Sequence, residues 1–352
     1  MYLYDNELYQ HDIAYVSGLP VCWENFRNAT VLISGATGLI GSFLVDVLMY
    51  KNKTEQLACT VLVTGRNTEK AQKRFGRYWD NRWFRFFACD IMQDLPCWDG
   101  VVDYVIHAAS NTHPVAYATD PIGTVTANII GTKNLLDFAA AHQTRRVAFL
   151  SSVEVYGENR GDVERFTESY CGYLDCNTLR AGYPESKRAG ESLCQAYIRQ
   201  KQVDVVIPRL SRVYGPTLLR DDSKAMSQFI RNALAGEDIV LKSAGTQYFS
   251  YSYMADAVSG ILYCLMYGQC GEAYNVADPA SDIRLKDLAQ IIAASVGKNV
   301  IFDLPDAVES AGFSRATVAV MDCEKLKKLG WHAEFDIHRG LQRTIAILKD
   351  IT

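Results

Sequence analysis

An α/β fold built on a doubly wound parallel sheet, with a smaller C-terminal α/β lobe, is what this sequence predicts. Three observations carry the prediction. From residue 30 to residue 210, short aliphatic runs of strand length alternate with longer helical patterns, the signature of a parallel sheet with crossover helices. The first strand, Val31-Leu32-Ile33-Ser34, runs straight into the turn Gly35-Ala36-Thr37-Gly38-Leu39-Ile40-Gly41 and then into the apolar-periodic Phe43, Leu44, Val47 and Leu48. After Gly215-Pro216 the alternation gives way to shorter, less regular elements.

The elements follow in order. Residues 1–29 precede the first strand and carry Tyr4, Tyr9, Tyr15 and Trp23; they are expected to pack on the body rather than to bind anything. Further strands are expected at 59–64, 83–88, 104–107, 146–150 and 203–209. Helices are expected around 121–142 and 183–200. The connections should be right-handed crossovers. Beyond residue 215, helices are expected at 224–235, 285–296, 324–329 and 339–348, and short strands at 238–242 and 248–254. A helix over 255–267 returns to the main sheet. No repeat and no low-complexity segment interrupts the chain.

Composition narrows the function. The chain has 352 residues, 49% of them hydrophobic, so it can bury a sizeable core. The net charge of −4 gives no basic footprint for nucleic acid. Ten cysteines are scattered without any C-x-x-C spacing, which argues against a metal site and against a disulfide framework. Cys59, Cys89 and Cys264 lie in apolar segments and read as small buried hydrophobes. No charged-then-apolar leader pattern opens the chain, and no apolar stretch reaches membrane-spanning length. A cytoplasmic protein with no membrane partner is therefore expected.

Chemistry concentrates in two places. In the glycine turn, Gly35 permits the tight bend, Gly38 lets a pyrophosphate approach the backbone, and Gly41 lets helix pack on strand. The helix start then offers free N–H groups to phosphate, so Thr37, Leu39 and Ile40 join the glycines as candidate cofactor residues. The second place is Tyr183-Pro-Glu-Ser-Lys187. Four residues apart on a helix, the two side chains share one face. A nearby ammonium favours the phenolate, so the pair is a plausible base for a sugar or alcohol hydroxyl. Alone, such a pair commonly lies on a solvated face. Here Ser152 follows the strand at 146–150 and can hydrogen-bond the reacting oxygen. A lone Ser there would read as a turn cap; with the glycine turn and the Tyr–Lys pair it reads as catalytic. These signs divide the chain into an extension (1–29), a dinucleotide-binding domain (30–210, with a returning segment at about 237–267) and a substrate-binding lobe (211–236 and 268–352).

Taken together, the motifs resemble the extended short-chain dehydrogenase/reductase superfamily, and more closely its NAD-dependent epimerase/dehydratase family, which modifies nucleotide sugars on a Rossmann-type fold. The resemblance spans about residues 28–350. It rests on the glycine turn, His107-Ala-Ala-Ser110, Asn128-Ile-Ile-Gly-Thr132, Ser151-Ser-Val-Glu-Val-Tyr-Gly157, Tyr183-x-x-x-Lys187, Arg209-Leu-Ser-Arg-Val-Tyr-Gly-Pro216 and Leu329-Gly-Trp331. It implies Tyr183 as base, Lys187 also on the nicotinamide ribose, and Ser152 on the substrate hydroxyl. It implies Asp90 and Ile91 around the adenine, Ala108, Ala109 and Ser110 along the dinucleotide, and Asn128 supporting the strand ends. Similar enzymes dimerise through a four-helix bundle, to which Phe138, Ala139, Leu193 and Tyr197 would contribute here; burial inside one subunit is the alternative.

Departures from the pattern separate the possible reactions. Similar 4,6-dehydratases carry Asp-Glu after the Ser/Thr, where this chain has Val153-Glu154, and Val153 gives no proton. Similar UDP-glucuronate decarboxylases carry Ser-Glu, so Glu154 fits them as a catalytic residue. The Arg expected in the segment 245–251 reads as Tyr248, and the resemblance leaves the substrate diphosphate to Arg212, Arg315, Arg220 or Lys242. For the cofactor, a Rossmann site uses an acid on the ribose for NAD and an Arg for NADP; Arg66 ends the second strand with no acid beside it, and both cofactors stay open. The leading expectation is a nucleotide-sugar epimerase oxidising C4 transiently. The alternatives are a decarboxylase or dehydratase, an NADPH-dependent 4-keto reductase, and a non-enzymatic dinucleotide-binding protein, against which the complete Ser152–Tyr183–Lys187 set argues.

Overall fold

The computed structural model describes residues 2–351 except Cys97, 113–116, Ala118, 220–221 and 304–316. Its strands are β1 (Thr30–Ser34), β2 (Thr60–Gly65), β3 (Phe84–Ala88), β4 (Tyr104–His107), β5 (Arg146–Phe149), β6 (Ser151–Ser152), β7 (Val205–Leu210), β8 (Arg212–Tyr214), β9 (Ile239–Leu241), β10 (Tyr248–Tyr253), β11 (Ala273–Val276), β12 (Asp282–Arg284), β13 (Val300–Phe302) and β14 (Val318–Ala319). The helices are α1 (Glu7–Gly18), α2 (Leu39–Glu55), α3 (Thr68–Phe75), α4 (Pro121–Ala141), α5 (Gly182–Lys201), α6 (Ala225–Ala235), α7 (Met254–Tyr267), α8 (Leu285–Ser295), α9 (Glu324–Lys327) and α10 (Ile337–Ile351).

The main sheet runs β11-β7-β5-β4-β1-β2-β3 with every pair parallel, and β6 continues the pairing to β7 beyond β5. Its central strands read as continuous apolar runs because helices cover both faces: Val31, Leu32 and Ile33 are buried, as is all of β4. Burying each such side chain contributes roughly 1.5–3 kcal/mol. A second sheet, β12-β10-β14 with β8 also on β10, and the pair β13-β9 complete the C-terminal part. As expected, α7 returns to pack on β5, β7 and β11 of the main sheet.

Local signals set the helices that matter for the site. Asp120 caps α4 by accepting from the Gly123 amide (3.0 Å), with Pro121 at its first position. Pro184 sits in the first turn of α5, where its missing N–H costs no hydrogen bond.

Several elements differ from expectation. The segment before β1 contains α1, capped by Asn6 on the Tyr9 amide. This helix is integral. The Tyr9 hydroxyl donates to Asp46 on α2 (2.6 Å), which also takes Tyr78 and Arg74. Asp12 accepts from Tyr253 (2.5 Å) and from Arg343 on α10 (2.8 Å). Strand β11, at the sheet edge, was also not expected. The face shared by α4 and α5 differs as well: Ala139 is buried with Leu135 and Leu136 inside the chain, while Ile122 and Ile130 are the exposed apolar residues of α4. Phe138, Leu193 and Tyr197 are half-buried.

Asp12 is fully buried and its removal strands a phenol and a guanidinium. Asp12→Ala should therefore cost about 3–5 kcal/mol, read as a lower denaturation midpoint in urea, while Asp5→Ala, whose carboxylate is exposed, should leave the midpoint nearly unchanged.

Candidate active site

In the main sheet β1 lies between β2 and β4, and the strand order reverses there. Crevices that take ligands open at the carboxyl ends of strands at such a point. Gly35 turns there with φ of +67°, and a side chain on it would meet Ala109 Cα at 2.6 Å and Ala108 C at 2.7 Å. The turn is thus pressed onto the end of β4. A side chain on Gly41 would meet Ala36 Cα and Gly35 O at 2.7 Å, which fixes α2 close under the turn. The first intrahelical bond of α2 runs from the Ser42 amide to Gly38 O, so the amides of Leu39, Ile40 and Gly41 are the ones free for a phosphate. Thr37 lies half-buried in the same turn. These amides and the close turn suit a dinucleotide.

The strand ends are held by a polar chain. Buried His107 meets the Ser34 hydroxyl (2.8 Å) and the Thr132 hydroxyl (3.1 Å), and burial pushes its pKa down to about 3. It is therefore a neutral strut using both ring nitrogens. Ser110 donates to Asn128 Oδ1 (2.7 Å), Asn128 Nδ2 donates to Ser186 (2.8 Å), and Ser186 donates to the Tyr183 carbonyl (2.9 Å). Asn128 thus joins the end of β4 to the first turn of α5, in keeping with the supporting place that the resemblance implied.

Tyr183 is buried, and the hydroxyls of Ser152 and Ser110 lie near enough to its phenol to favour the phenolate. Ser152, Ser110 and Tyr183 therefore converge on one point. Lys187, one turn on, is buried beneath the Phe149 ring (5.0 Å to its centroid) and donates to Leu150 O (2.8 Å). The electrostatics correct one expectation. Burial pushes the Tyr183 phenol up to about 12, the two hydroxyls and Arg180 acting in the opposite direction and Glu154 adding to the rise. Lys187 itself is lowered to about 8 by burial. The lysine does not produce a lowered phenol in this structure, because desolvating the phenolate outweighs a charge that is itself desolvated and turned toward Leu150 O.

Glu154 lies on the short turn after Ser152. Arg180 donates to its Oε2 (2.9 Å), and Arg212 lies 3.5 Å from its Oε1. Arg180 also stands over the Tyr117 ring (4.9 Å), which stacks on Tyr183 at 5.0 Å. Arg212 lies over Phe249 (3.6 Å). One buried nitrogen of each arginine, Nη1, finds no acceptor among the described residues. Tyr248 opens β10, the strand that pairs with β8. Successive strand residues face opposite sides of the sheet, so the residue that shares the Arg212 side is Phe249, with Tyr251 opposite Arg212 in the register; Tyr248 pairs with Arg284 and Val318 instead.

The other expected residues fall as follows. Arg66 is exposed at the end of β2. Asp90 accepts from the Met92 amide (3.0 Å), and Ile91 packs tightly on Gly131 of α4. Arg315 and Arg220 lie outside the described residues. Among the described residues there is no cluster of His, Cys, Asp or Glu that would hold a metal, and no helix long and apolar enough to cross a membrane. Sequence reading missed Tyr117, Arg180 and Phe249. The spacing of Arg180, three residues ahead of Tyr183, was the available signal.

Residues 31–277 match the model of the NAD dependent epimerase/dehydratase family. Among curated proteins, the chain is 31% identical over 315 residues to UDP-glucuronic acid decarboxylase 6 of Arabidopsis thaliana, covering 89% of this chain and 87% of that protein. It is 31% identical to UDP-glucuronic acid decarboxylase 1 of Danio rerio, covering 90% and 71%. Among solved structures it is similar to a dTDP-glucose 4,6-dehydratase of Streptomyces venezuelae with NAD bound (TM-score 0.77, 25% identity, 91% and 97% coverage). It also shares the fold of the UDP-glucuronic acid 4-epimerase of Bacillus cereus (TM-score 0.77, 22% identity, 92% and 100% coverage). With the glycine turn, the Ser152–Tyr183–Lys187 set and these matches in one chain, the protein belongs to the NAD-dependent epimerase/dehydratase family of nucleotide-sugar-modifying enzymes.

Proposed function

We propose that the enzyme oxidises C4 of a nucleotide uronate and then releases the uronate carboxyl group as carbon dioxide. The observation that carries this reading is the cluster at Glu154. Two guanidinium groups face one carboxylate, and each keeps a buried N–H with no acceptor among the described residues. Buried donors are rarely left unmet without a functional reason, and a planar carboxylate is the partner that guanidinium forks match. The similarity to UDP-glucuronic acid decarboxylases supports the same assignment.

Tyr183 takes the proton of the C4 hydroxyl, and Ser152 and Ser110 hold the oxygen. NAD, held at the glycine turn, would supply the acceptor for the C4 hydride, and its cationic ring would favour the Tyr183 phenolate. The resulting ketone is β to the C6 carboxylate. Loss of carbon dioxide therefore leaves its electron pair delocalised into the C4 carbonyl, Glu154 would give C5 the proton that it then needs, and return of the hydride to C4 would leave a product lighter by carbon dioxide alone. Arg180 and Arg212 orient the carboxylate. In this arrangement Arg212 serves the carboxylate rather than the diphosphate expected of it, because its guanidinium is turned to Glu154. The diphosphate falls to the lobe formed by 211–236 and 268–352, to which Arg315 belongs. Pairing of α4 and α5 across a homodimer would cover Ile122 and Ile130.

A C4 epimerase is the second reading. The Ser152–Tyr183–Lys187 set suffices for it, and the segment at 245–251 carries no cation. Mass analysis of products from UDP-, CDP-, GDP- and dTDP-sugars separates the two. Loss of carbon dioxide from a nucleotide uronate is the expected result, whereas a product of unchanged mass would establish the epimerase.

Tyr183→Phe should retain NAD and lose at least ~100-fold in turnover; near-parental turnover would exclude Tyr183 as the base. Arg180→Met should raise KM for a nucleotide uronate by about tenfold or more, as loss of one charge-assisted contact implies, with little change for binding of the free nucleotide. Equal weakening of both would show that Arg180 does not read the carboxylate.

A further inference from the structure

Glu191 stands one turn beyond Lys187 and two beyond Tyr183, so the three residues line one stripe of α5. Its carboxylate is almost buried, with 14% of the side chain exposed. It accepts the Ser151 hydroxyl at 2.6 Å and both Nε and Nη2 of Arg209, on β7, at 2.9 and 2.6 Å. Arg209 in turn donates from Nη1 to the Tyr156 hydroxyl (3.0 Å) and to Glu168 O (2.8 Å). A simple cross-brace between helix and sheet would need only Arg209. The third link reaches Ser151, the neighbour of Ser152, at the place where Leu150 leaves the β5 ladder and β6 begins.

We propose that Glu191 is a positioning residue of this active site, tying the Ser151–Ser152 strand end to the helix of Tyr183 and Lys187 and setting a carboxylate one turn from the Lys187 ammonium. The proposal rests on the assignment of Ser152, Tyr183 and Lys187 to the reaction. The groups that face Lys187 are few. From its own helix they are Glu191 and Cys194; from β4, neutral His107; from β5 and its end, the Phe149 ring and Leu150 O. Glu191 is the one acid among them. Burial drives Lys187 toward its neutral form, and Glu191 is the largest influence in the opposite direction. Its negative charge is shared with Arg209, so the lysine keeps its proton near neutrality without gaining a tight salt bridge that would pull it away from Leu150 O.

The test reads the lysine directly and needs no substrate. Protein carrying 13C-labelled lysine is titrated by NMR, and Lys187→Met assigns the Lys187 signal. The parent should titrate near 8. In Glu191→Gln, of nearly the same shape, the midpoint should fall by about one unit, and turnover on a nucleotide sugar should drop with KM little changed. Ser151→Ala keeps the carboxylate, so it should slow turnover and leave the lysine midpoint at the parental value. An unchanged midpoint in Glu191→Gln overturns the electrostatic half of the proposal. Parental turnover in Ser151→Ala overturns the anchoring half. A parent that turns over no nucleotide sugar would sink the proposed reaction, while the lysine titration would still decide the role of Glu191.

Discussion

The close approach of Gly35 to the end of β4 is the constraint on which the site depends. With no side chain and a φ of +67°, Gly35 lets the turn lie against Ala108 and Ala109. That contact sets where α2 begins, and so where its free amides point. It also brings the β1 end to His107, whose two ring nitrogens pass the alignment to Ser34 on one side and Thr132 of α4 on the other. From α4, Asn128 reaches Ser186 and hence the first turn of α5. The glycine turn and the start of the Tyr183 helix are therefore two ends of one hydrogen-bonded chain, and a shift of the first displaces the second.

Charge is treated in two ways in this molecule. Away from Glu154, buried acids are saturated. Asp46 takes Tyr9, Tyr78 and Arg74; Asp12 takes Tyr253 and Arg343; Glu191 takes Ser151 and Arg209. Such pairs are retained because removing one partner leaves an uncompensated charge in a poor solvent. At Glu154 the count is different. Arg180 and Arg212 outnumber the acid, and each holds a donor back. The fold saturates Asp12 and Asp46 but leaves these two donors unmet among the described residues.

Legibility in the sequence followed the range of the physics. The glycine turn, Ser152 and the Tyr183–Lys187 spacing are local patterns, and each was readable because the backbone geometry they require is set within a few residues. The central strands were readable because burial on both faces gives them uninterrupted aliphatic runs. Helix α1 was not, since its buried face mixes Tyr9, Asp12 and Ser17 with Ile13 and Val16, and its acid becomes intelligible only beside Tyr253 and Arg343, over two hundred residues away. Strand β11 is four residues at a sheet edge, too short to carry a period. The place of Phe249 turned on parity: one residue of register moves a side chain to the other face of a strand, so Phe249 and not its neighbour Tyr248 shares the Arg212 side.

The Tyr183 phenol shows what a sequence leaves out most completely. Helical spacing puts an ammonium one turn away, and that alone argues for an easily ionised phenol. Burial is invisible in the spacing and acts on both groups, raising the phenol and lowering the amine. Burial thus works against the charged form of both members of the pair. Positive charge brought into the crevice would act against that cost, because a cation beside a phenol favours its ionised form.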